Sequence, residues 1–202
     1  KKVLEYAKFI INGNNIEEKK DGKQKTFGFI INIAELFEIY MTKLIQKEFS
    51  EWRVESPKIE LYPNQFFSRK IIPDIVMKKD NDVLVFDTKY KKMTMQGKNK
   101  NGAGDVDRND FFQINTYMSY YQNHPDKYNV KIGGLLYPIE KSFKENKDIC
   151  HSQTWFGNLN SKFIVDGIDL SDLKEDNENK FASIVKREQK FIEGIKKLLI
   201  YL

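Results

Sequence analysis

Two apolar runs, KIIPDIVMK at residues 70–78 and VLVFDTKY at residues 83–90, limit the possible folds of this chain more than any other feature. The first run carries Asp74 directly after a proline, and the second carries Asp87 near its polar end. The four residues between the runs, KDND, favour a turn. The pattern predicts a β-hairpin that brings the two aspartates side by side.

The alternation of side chains along a strand places Asp87 and Lys89 on one face and Thr88 on the other. Two adjacent carboxylates repel each other unless a cation is present. Oxygen ligands without His or Cys suit Mg²⁺ or Mn²⁺, and an ammonium group can orient a water and stabilise negative charge. These groups together predict metal-dependent phosphodiester hydrolysis. The alternative for any single Asp-x-Lys is a solvated strand end.

Apolar residues recur at helical spacing in three segments, which predicts helices over residues 32–49, about 107–122 and about 179–202. Asn32 is predicted to cap the first helix, with Glu35 completing a capping box. Further strands are predicted at residues 58–62, 130–138 and 161–168, a short helix at 1–11, and loops at 12–26 and 91–104.

The order of these elements predicts an α/β (α+β) fold with a central mixed β-sheet flanked by helices. A length of 202 residues suits a single domain over residues 1–202, with the strand and helix of residues 161–202 packing on its core. The single Cys150 excludes an internal disulfide framework. No apolar run is long enough for a transmembrane helix and no signal peptide is visible, so we expect a cytoplasmic protein. The absence of an initiator Met suggests a piece of a longer protein.

The sequence of the hairpin, PDIV followed by FDTKYK, resembles the PD-(D/E)xK nuclease signature and in particular that of the McrC-like restriction nucleases. Three further elements agree with that family in order and spacing. They are LFE at residues 36–38, the pair Gln113 and Tyr117 four residues apart on one helix face, and LYP at residues 136–138. The resemblance covers about residues 28–140.

The resemblance implies a restriction-endonuclease-like core and a Mg²⁺-dependent DNA endonuclease, with Mn²⁺ as a possible substitute. Asp74 and Asp87 would be metal ligands, and the backbone carbonyl of Thr88 would be a third. Glu38, at the edge of the apolar stripe of its helix, would approach the metal directly or through water; its alternative is an ordinary boundary glutamate. Lys89 would be the catalytic lysine.

Gln113 and Tyr117 would, by the same resemblance, line the cleft and position the lysine, the water or the scissile phosphate. Partial core packing is the alternative for both. The family also implies an AAA+ GTPase partner of the McrB type. Because double-strand cleavage needs two active sites or two events, we expect a homodimer or a larger assembly.

A net charge of +5 is compatible with DNA as a partner. Basic residues that we expect to contact DNA precede the first run or follow the second; a solvated loop is the alternative for the latter. Two other functions stay open: a stand-alone type II-like restriction or repair nuclease, and a non-catalytic DNA-binding or assembly module. The expected DNA-contacting residues are Arg69, Lys70, Lys91, Lys92, Lys98, Lys100 and Arg108.

Overall fold

The computed structural model describes residues 32–91, 106–139, 148–170 and 180–202. These residues form three helices and eight strands. The helices are α1 (Ile33–Glu48), α2 (Arg108–Gln122) and α3 (Lys180–Ile200). The strands are β1 (Arg53–Glu55), β2 (Ile59–Leu61), β3 (Arg69–Ile71), β4 (Ile75–Lys79), β5 (Asp82–Thr88), β6 (Asn129–Ile139), β7 (His151–Trp155) and β8 (Asn158–Asp169).

Six strands form a mixed sheet in the order β1-β4-β5-β6-β8-β7, which confirms the predicted fold class. The central pairs β5–β6 and β6–β8 are parallel, and the outer pairs are antiparallel. Helices α1 and α3 cover one face and α2 covers the other. Strands β2 and β3 form a separate antiparallel pair. Among the described helices, none has the length and apolar character needed to cross a membrane.

The side chains of β5 alternate between the two cores, as the sequence predicts. Val83 and Val85 pack toward α2, whereas Leu84 and Phe86 pack toward α1 and α3. The same alternation directs Asp87 to the α2 face. Catalytic candidates on β5 therefore face α2, and the helix that meets them is the one carrying the predicted glutamine–tyrosine pair.

The N-cap prediction for α1 is confirmed, because the Asn32 side chain accepts a hydrogen bond from the Glu35 N–H at 3.3 Å. The predicted helices and the strands over 58–62, 83–90, 130–138 and 161–168 are also present, with end shifts of a few residues. The expectations for residues 1–11 and 12–26, and for most of the loop at 91–104, lie outside the described residues.

The β-strand predicted over residues 70–78, with Pro73 near its start or at a bulge, is two strands in the structure. The run divides at Pro73 into β3, which pairs with β2, and β4, which pairs with β5. A proline has no N–H for a sheet ladder, and the carbonyl of Pro73 instead accepts a hydrogen bond from Ser56 Oγ at 2.9 Å. Strands β1 and β7 were not predicted, because one is three residues long and the other begins with three exposed polar residues.

Gly133 in β6 lets α2 lie close to the sheet. A Cβ at this position would lie 2.3 Å from the Met118 sulfur and 2.4 Å from its Cγ. Met118 lies on the buried face of α2, and its side chain leaves no space for a methyl group at Gly133. The glycine therefore sets the distance between the sheet and the helix that faces Asp87.

We predict that Gly133→Ala lowers the free energy of unfolding by about 1–3 kcal/mol through overpacking. Met118→Ala removes the atoms that the new methyl group meets, so the double variant should lose less than the sum of the two single losses. Chemical denaturation of the four proteins measures this coupling. Strictly additive losses would show that Gly133 is not required by the approach of Met118.

Candidate active site at one end of the central sheet

The β4–β5 register brings Asp74 next to the end of β5. Ile75 pairs with Phe86, so the residue before β4 lies opposite the residue after Phe86. Both the N–H and the hydroxyl of Thr88 donate to Asp74 Oδ2, at 2.7 and 2.8 Å. Asp74 therefore has a fixed orientation beside Asp87, as the hairpin pattern predicts.

Thr88 contacts the site through groups other than the one expected. Its amide and hydroxyl orient Asp74, whereas the resemblance assigns a metal to its carbonyl. The next N–H, that of Lys89, donates to the Leu136 carbonyl of β6 at 2.8 Å. These bonds fix the backbone where β5 ends, and the carbonyl role of Thr88 stays a prediction.

Asp87 is a buried carboxylate, 1% exposed. Its Oδ2 lies 2.5 Å from Lys89 Nζ. Burial raises the pKa of Asp87 to about 6, the negative charge of Asp74 adds to the rise, and the Lys89 ammonium opposes it. The pair of aspartates thus forms a site that favours a cation.

Three side chains form a hydrogen-bonded series that orients Lys89. Lys89 Nζ donates to Gln113 Oε1 at 2.8 Å, and Gln113 Nε2 donates to the Tyr117 hydroxyl at 2.7 Å. The Tyr117 hydroxyl in turn donates to the Ile72 carbonyl at 3.4 Å. The structure therefore brings together the lysine and the Q-x-x-x-Y pair, and it links both to the backbone two residues before Asp74.

Lys89 is half-buried and ionised. Burial alone lowers its pKa, but the contact with Asp87 and the further charges of Asp110 and Asp74 outweigh burial and raise it. The distance between Lys89 Nζ and Asp110 Oδ1 is 3.8 Å. The ammonium is thus retained at neutral pH beside the two aspartates.

Asp110 is a buried carboxylate that the sequence analysis did not identify. Its Oδ2 accepts a hydrogen bond from the Tyr137 hydroxyl at 3.1 Å and lies 2.6 Å from Lys91 Nζ. Its position in the first turn of α2 suggests only a dipole-compensating acid. The sequence does show an acidic residue three positions before Gln113. It does not show that Tyr137 and Lys91, which lie outside α2, contact that residue.

Glu38 on α1 lies within the electrostatic reach of both aspartates. Partial burial raises its pKa most, followed by the charges of Asp74, Asp87 and Glu35. The Phe37 ring contacts the ring of Tyr90, with centroids 5.7 Å apart, and this contact joins α1 to the end of β5. Glu38 is therefore near the aspartates, whereas Glu35 is exposed.

The oxygen donors fit a magnesium site of the simplest kind. Within the described ranges, no group of three or more His, Cys, Asp or Glu side chains is arranged to hold a metal. Mg²⁺ is nonetheless commonly held by one or two carboxylates with its remaining positions filled by water. Asp74 and Asp87, one of them buried with a raised pKa, provide such a pair.

The predicted DNA-contacting residues differ in their surroundings. Arg69 and Lys70 are exposed on β3, and the exposed Arg108 guanidinium lies 5.3 Å from the centroid of the Phe112 ring. Lys91 is instead paired with Asp110 and, at 3.5 Å, with Asp107. The predictions for Lys92, Lys98 and Lys100 lie outside the described residues.

Comparison with known proteins identifies one family and one fold. A family model described as McrBC 5-methylcytosine restriction system component matches residues 1–138. A chain of the refined half-complex from the tetradecameric assembly of Thermococcus gammatolerans McrB AAA+ hexamers with bound McrC has the same fold, with a TM-score of 0.55 and 17% identity. The alignment covers 85% of this chain and 34% of that chain, so the present chain spans a minor part of its length. Among curated proteins, none matches.

We predict that Asp87→Asn stabilises the metal-free protein more at high pH than at low pH. Because the folded pKa of about 6 exceeds the ordinary 3.8, the wild type loses stability as the pH rises through that interval and Asp87 becomes charged. The stability difference between variant and wild type should grow by about 2 kcal/mol between pH 4 and pH 7. Urea denaturation in EDTA measures it; a difference independent of pH would contradict the raised pKa.

Proposed function

The chain belongs to the McrBC family of 5-methylcytosine restriction system components, and from this premise we propose that it is a Mg²⁺-dependent DNA endonuclease that cuts phosphodiester bonds. The observation that carries the proposal is the meeting of Asp74, Asp87 and Lys89 at one end of the sheet. The lysine is oriented by a glutamine rather than left free in solvent. A solvated strand end needs neither burial nor such orientation.

Lys89 would act directly on the reacting groups. An ammonium has three N–H donors, and contacts with Asp87 and Gln113 leave donor capacity for a water or a phosphate oxygen. From that position it can hold the attacking water and stabilise the negative charge that develops on the phosphate. Its raised pKa supports a charged amine at neutral pH.

Asp74 and Asp87 would hold the Mg²⁺, with Glu38 joining directly or through water. When bound, the ion would supply charge neutralisation at the phosphate and a lower pKa for the attacking water. Thr88 keeps Asp74 aimed at the site through two hydrogen bonds. Burial is the largest cause of the raised pKa values of Asp87 and Glu38, and the charges of the neighbouring carboxylates add to it. A bound cation would relieve that repulsion.

Gln113 and Tyr117 would serve as positioning residues. The Gln113 side chain accepts a hydrogen bond from Lys89 and donates one to the Tyr117 hydroxyl. That hydroxyl donates in turn to a backbone carbonyl near Asp74. The series couples the position of the lysine to that of the aspartate on the neighbouring strand. An error of about 1 Å in such a set reduces turnover strongly.

We further propose that this chain acts with an AAA+ partner of the McrB type. A solved structure that shares its fold is a complex of McrB AAA+ hexamers with bound McrC. The present sequence contains no GxxxxGK[ST] phosphate-binding loop. A separate subunit would therefore supply nucleotide hydrolysis, and this chain would supply cleavage.

We predict that Asp74→Ala, Asp87→Ala and Lys89→Ala each reduce plasmid nicking by about 100-fold or more, because each removes a group from the reacting centre. Asp126→Ala and Lys79→Ala, both at exposed positions away from the site, serve as matched controls and should keep the wild-type rate. Nicking is measured with Mg²⁺ or Mn²⁺, with the AAA+ partner and nucleotide added where the chain alone is inactive. Full activity of all three site variants would disprove the assignment.

We predict that Mn²⁺ binding, measured by calorimetry without DNA, is lost in Asp74→Asn and Asp87→Asn. Glu38→Gln should weaken it about 10-fold, as expected for a group that acts through water. Glu35→Gln, one turn away on the same helix but exposed, should bind Mn²⁺ like the wild type. Equal Mn²⁺ affinity in the wild type and both aspartate variants would instead favour a non-catalytic module.

A further inference from the structure

The segment connecting β2 to β3 presents an exposed group of aromatic rings. Phe66 is 98% exposed, Tyr62 is 58% exposed and Phe67 is 40% exposed. We call these three residues the aromatic tip. Large apolar side chains grouped on a surface mark a site of interaction more often than chance, whereas single ones do not.

The aromatic tip has a defined shape. Phe67 lies between the other two rings, with centroids 4.7 Å from Phe66 and 5.6 Å from Tyr62, both in edge-on contact. The Gln65 N–H donates to the Tyr62 carbonyl at 3.3 Å. Tyr62 and Asn64 have backbone φ values of 55° and 65°, in the left-handed region that residues other than glycine rarely adopt. Phe66 therefore projects outward from a supported turn.

The base of this hairpin is attached beside the candidate active site. Ile59 and Ile71 pair across the two strands and pack against the core under α2, the same face of the sheet as Asp87. The carbonyl of Ile72 accepts the hydrogen bond from Tyr117 that ends the Lys89 series. Phe66 and Asp74 are only eight positions apart along the chain, which limits the distance between them to about 28 Å. That is less than one turn of DNA, about 34 Å.

The charges around the aromatic tip select the chemistry of its partner. Residues 62–68 contain no acidic side chain, and the exposed Arg69 and Lys70 follow directly. The cross-strand partner of Lys70 is Glu60, so Arg69 and Lys58 carry the excess positive charge of the hairpin. A polyanion that also presents flat apolar faces matches rings surrounded by cations, and nucleic acid has both properties.

We propose that the aromatic tip is a nucleobase-stacking element, in which Phe66 inserts at a base step of the DNA bound at the candidate site. Arg69 would contact the neighbouring phosphates. The inference rests on the proposed function for the identity of the polymer, and adds a stacking site to it. Insertion of an apolar side chain partly unstacks a base step and bends the duplex. The attachment of the hairpin to the Lys89 series would then place the distorted step a fixed distance from the scissile phosphate.

The test measures binding without cleavage. The 202-residue chain in EDTA is titrated into a fluorescein-labelled duplex to measure affinity. It is also titrated into duplexes that carry 2-aminopurine at successive positions, to detect unstacking. Phe66→Ala should weaken binding about 5- to 100-fold and remove a position-specific fluorescence rise that the wild type gives. Phe66→Trp should preserve both signals. Because the Phe66 side chain is exposed, its removal leaves the fold intact.

Two controls separate stacking from charge. Phe156→Ala removes another exposed phenylalanine, 74% exposed at the β7–β8 turn, and should bind DNA like the wild type. Arg69→Ala should reduce the dependence of affinity on salt, which Phe66→Ala should leave unchanged.

Wild-type affinity and fluorescence in Phe66→Ala, or no DNA binding by the wild type, would overturn the stacking proposal. If Phe66→Ala lost binding to the AAA+ partner but kept its affinity for DNA, the aromatic tip would be a protein contact. That result would also overturn the stacking proposal. The nuclease proposal is judged separately, by the nicking of Asp74→Ala and Lys89→Ala. Plasmid nicking at the wild-type rate by Phe66→Ala, with those two variants inactive, would reject stacking and leave the nuclease assignment standing.

Discussion

The burial of the Asp87 carboxylate beside Asp74 is the constraint on which the rest of this structure depends. A buried charge must be paired or neutralised, or the folded state is destabilised. The chain pairs it with Lys89, two residues later on the same face, and Gln113 of α2 orients that lysine. This contact requires α2 to lie close to the sheet, which the missing side chain of Gly133 allows. The Asp110 carboxylate in the first turn of α2 then pairs with Lys89 and Lys91, which follow β5. These ion pairs hold the start of α2 near the end of β5.

Much of the site could be predicted from the sequence because its parts are set by short-range periodicity. Alternation along β5 separates Asp87 from Thr88, and helical spacing puts Gln113 and Tyr117 on one face. The hairpin turn then fixes which residue lies opposite Asp87. These relations involve neighbours on one element or on two adjoining strands. Periodicity in the sequence encodes them directly, and the strand register and the Gln113–Tyr117 hydrogen bond agree with it.

The remaining features depend on contacts between elements distant in the sequence, which no local pattern encodes. Where the first apolar run divides, the Pro73 carbonyl accepts a hydrogen bond from the hydroxyl of a serine seventeen residues earlier. The pairing of Asp110 with Tyr137 joins a helix to a strand 27 residues away. The exposure of Phe66 was equally invisible, since an FF pair in a sequence suggests core packing. To predict each of these features, one would have to know which elements pack together in the folded protein.

The central claim is that Asp74 and Asp87 form a divalent-cation site served by Lys89. The most direct measurement is a crystal structure grown with Mn²⁺ and examined by anomalous scattering. The account predicts an anomalous peak within about 2.0–2.3 Å of carboxylate oxygens from both aspartates, with Lys89 Nζ still held by Gln113 and facing the ion's water shell. If the site were ordered at saturating Mn²⁺, with Lys89 still paired with Asp87 and no such peak, the claim of a cation site would be contradicted.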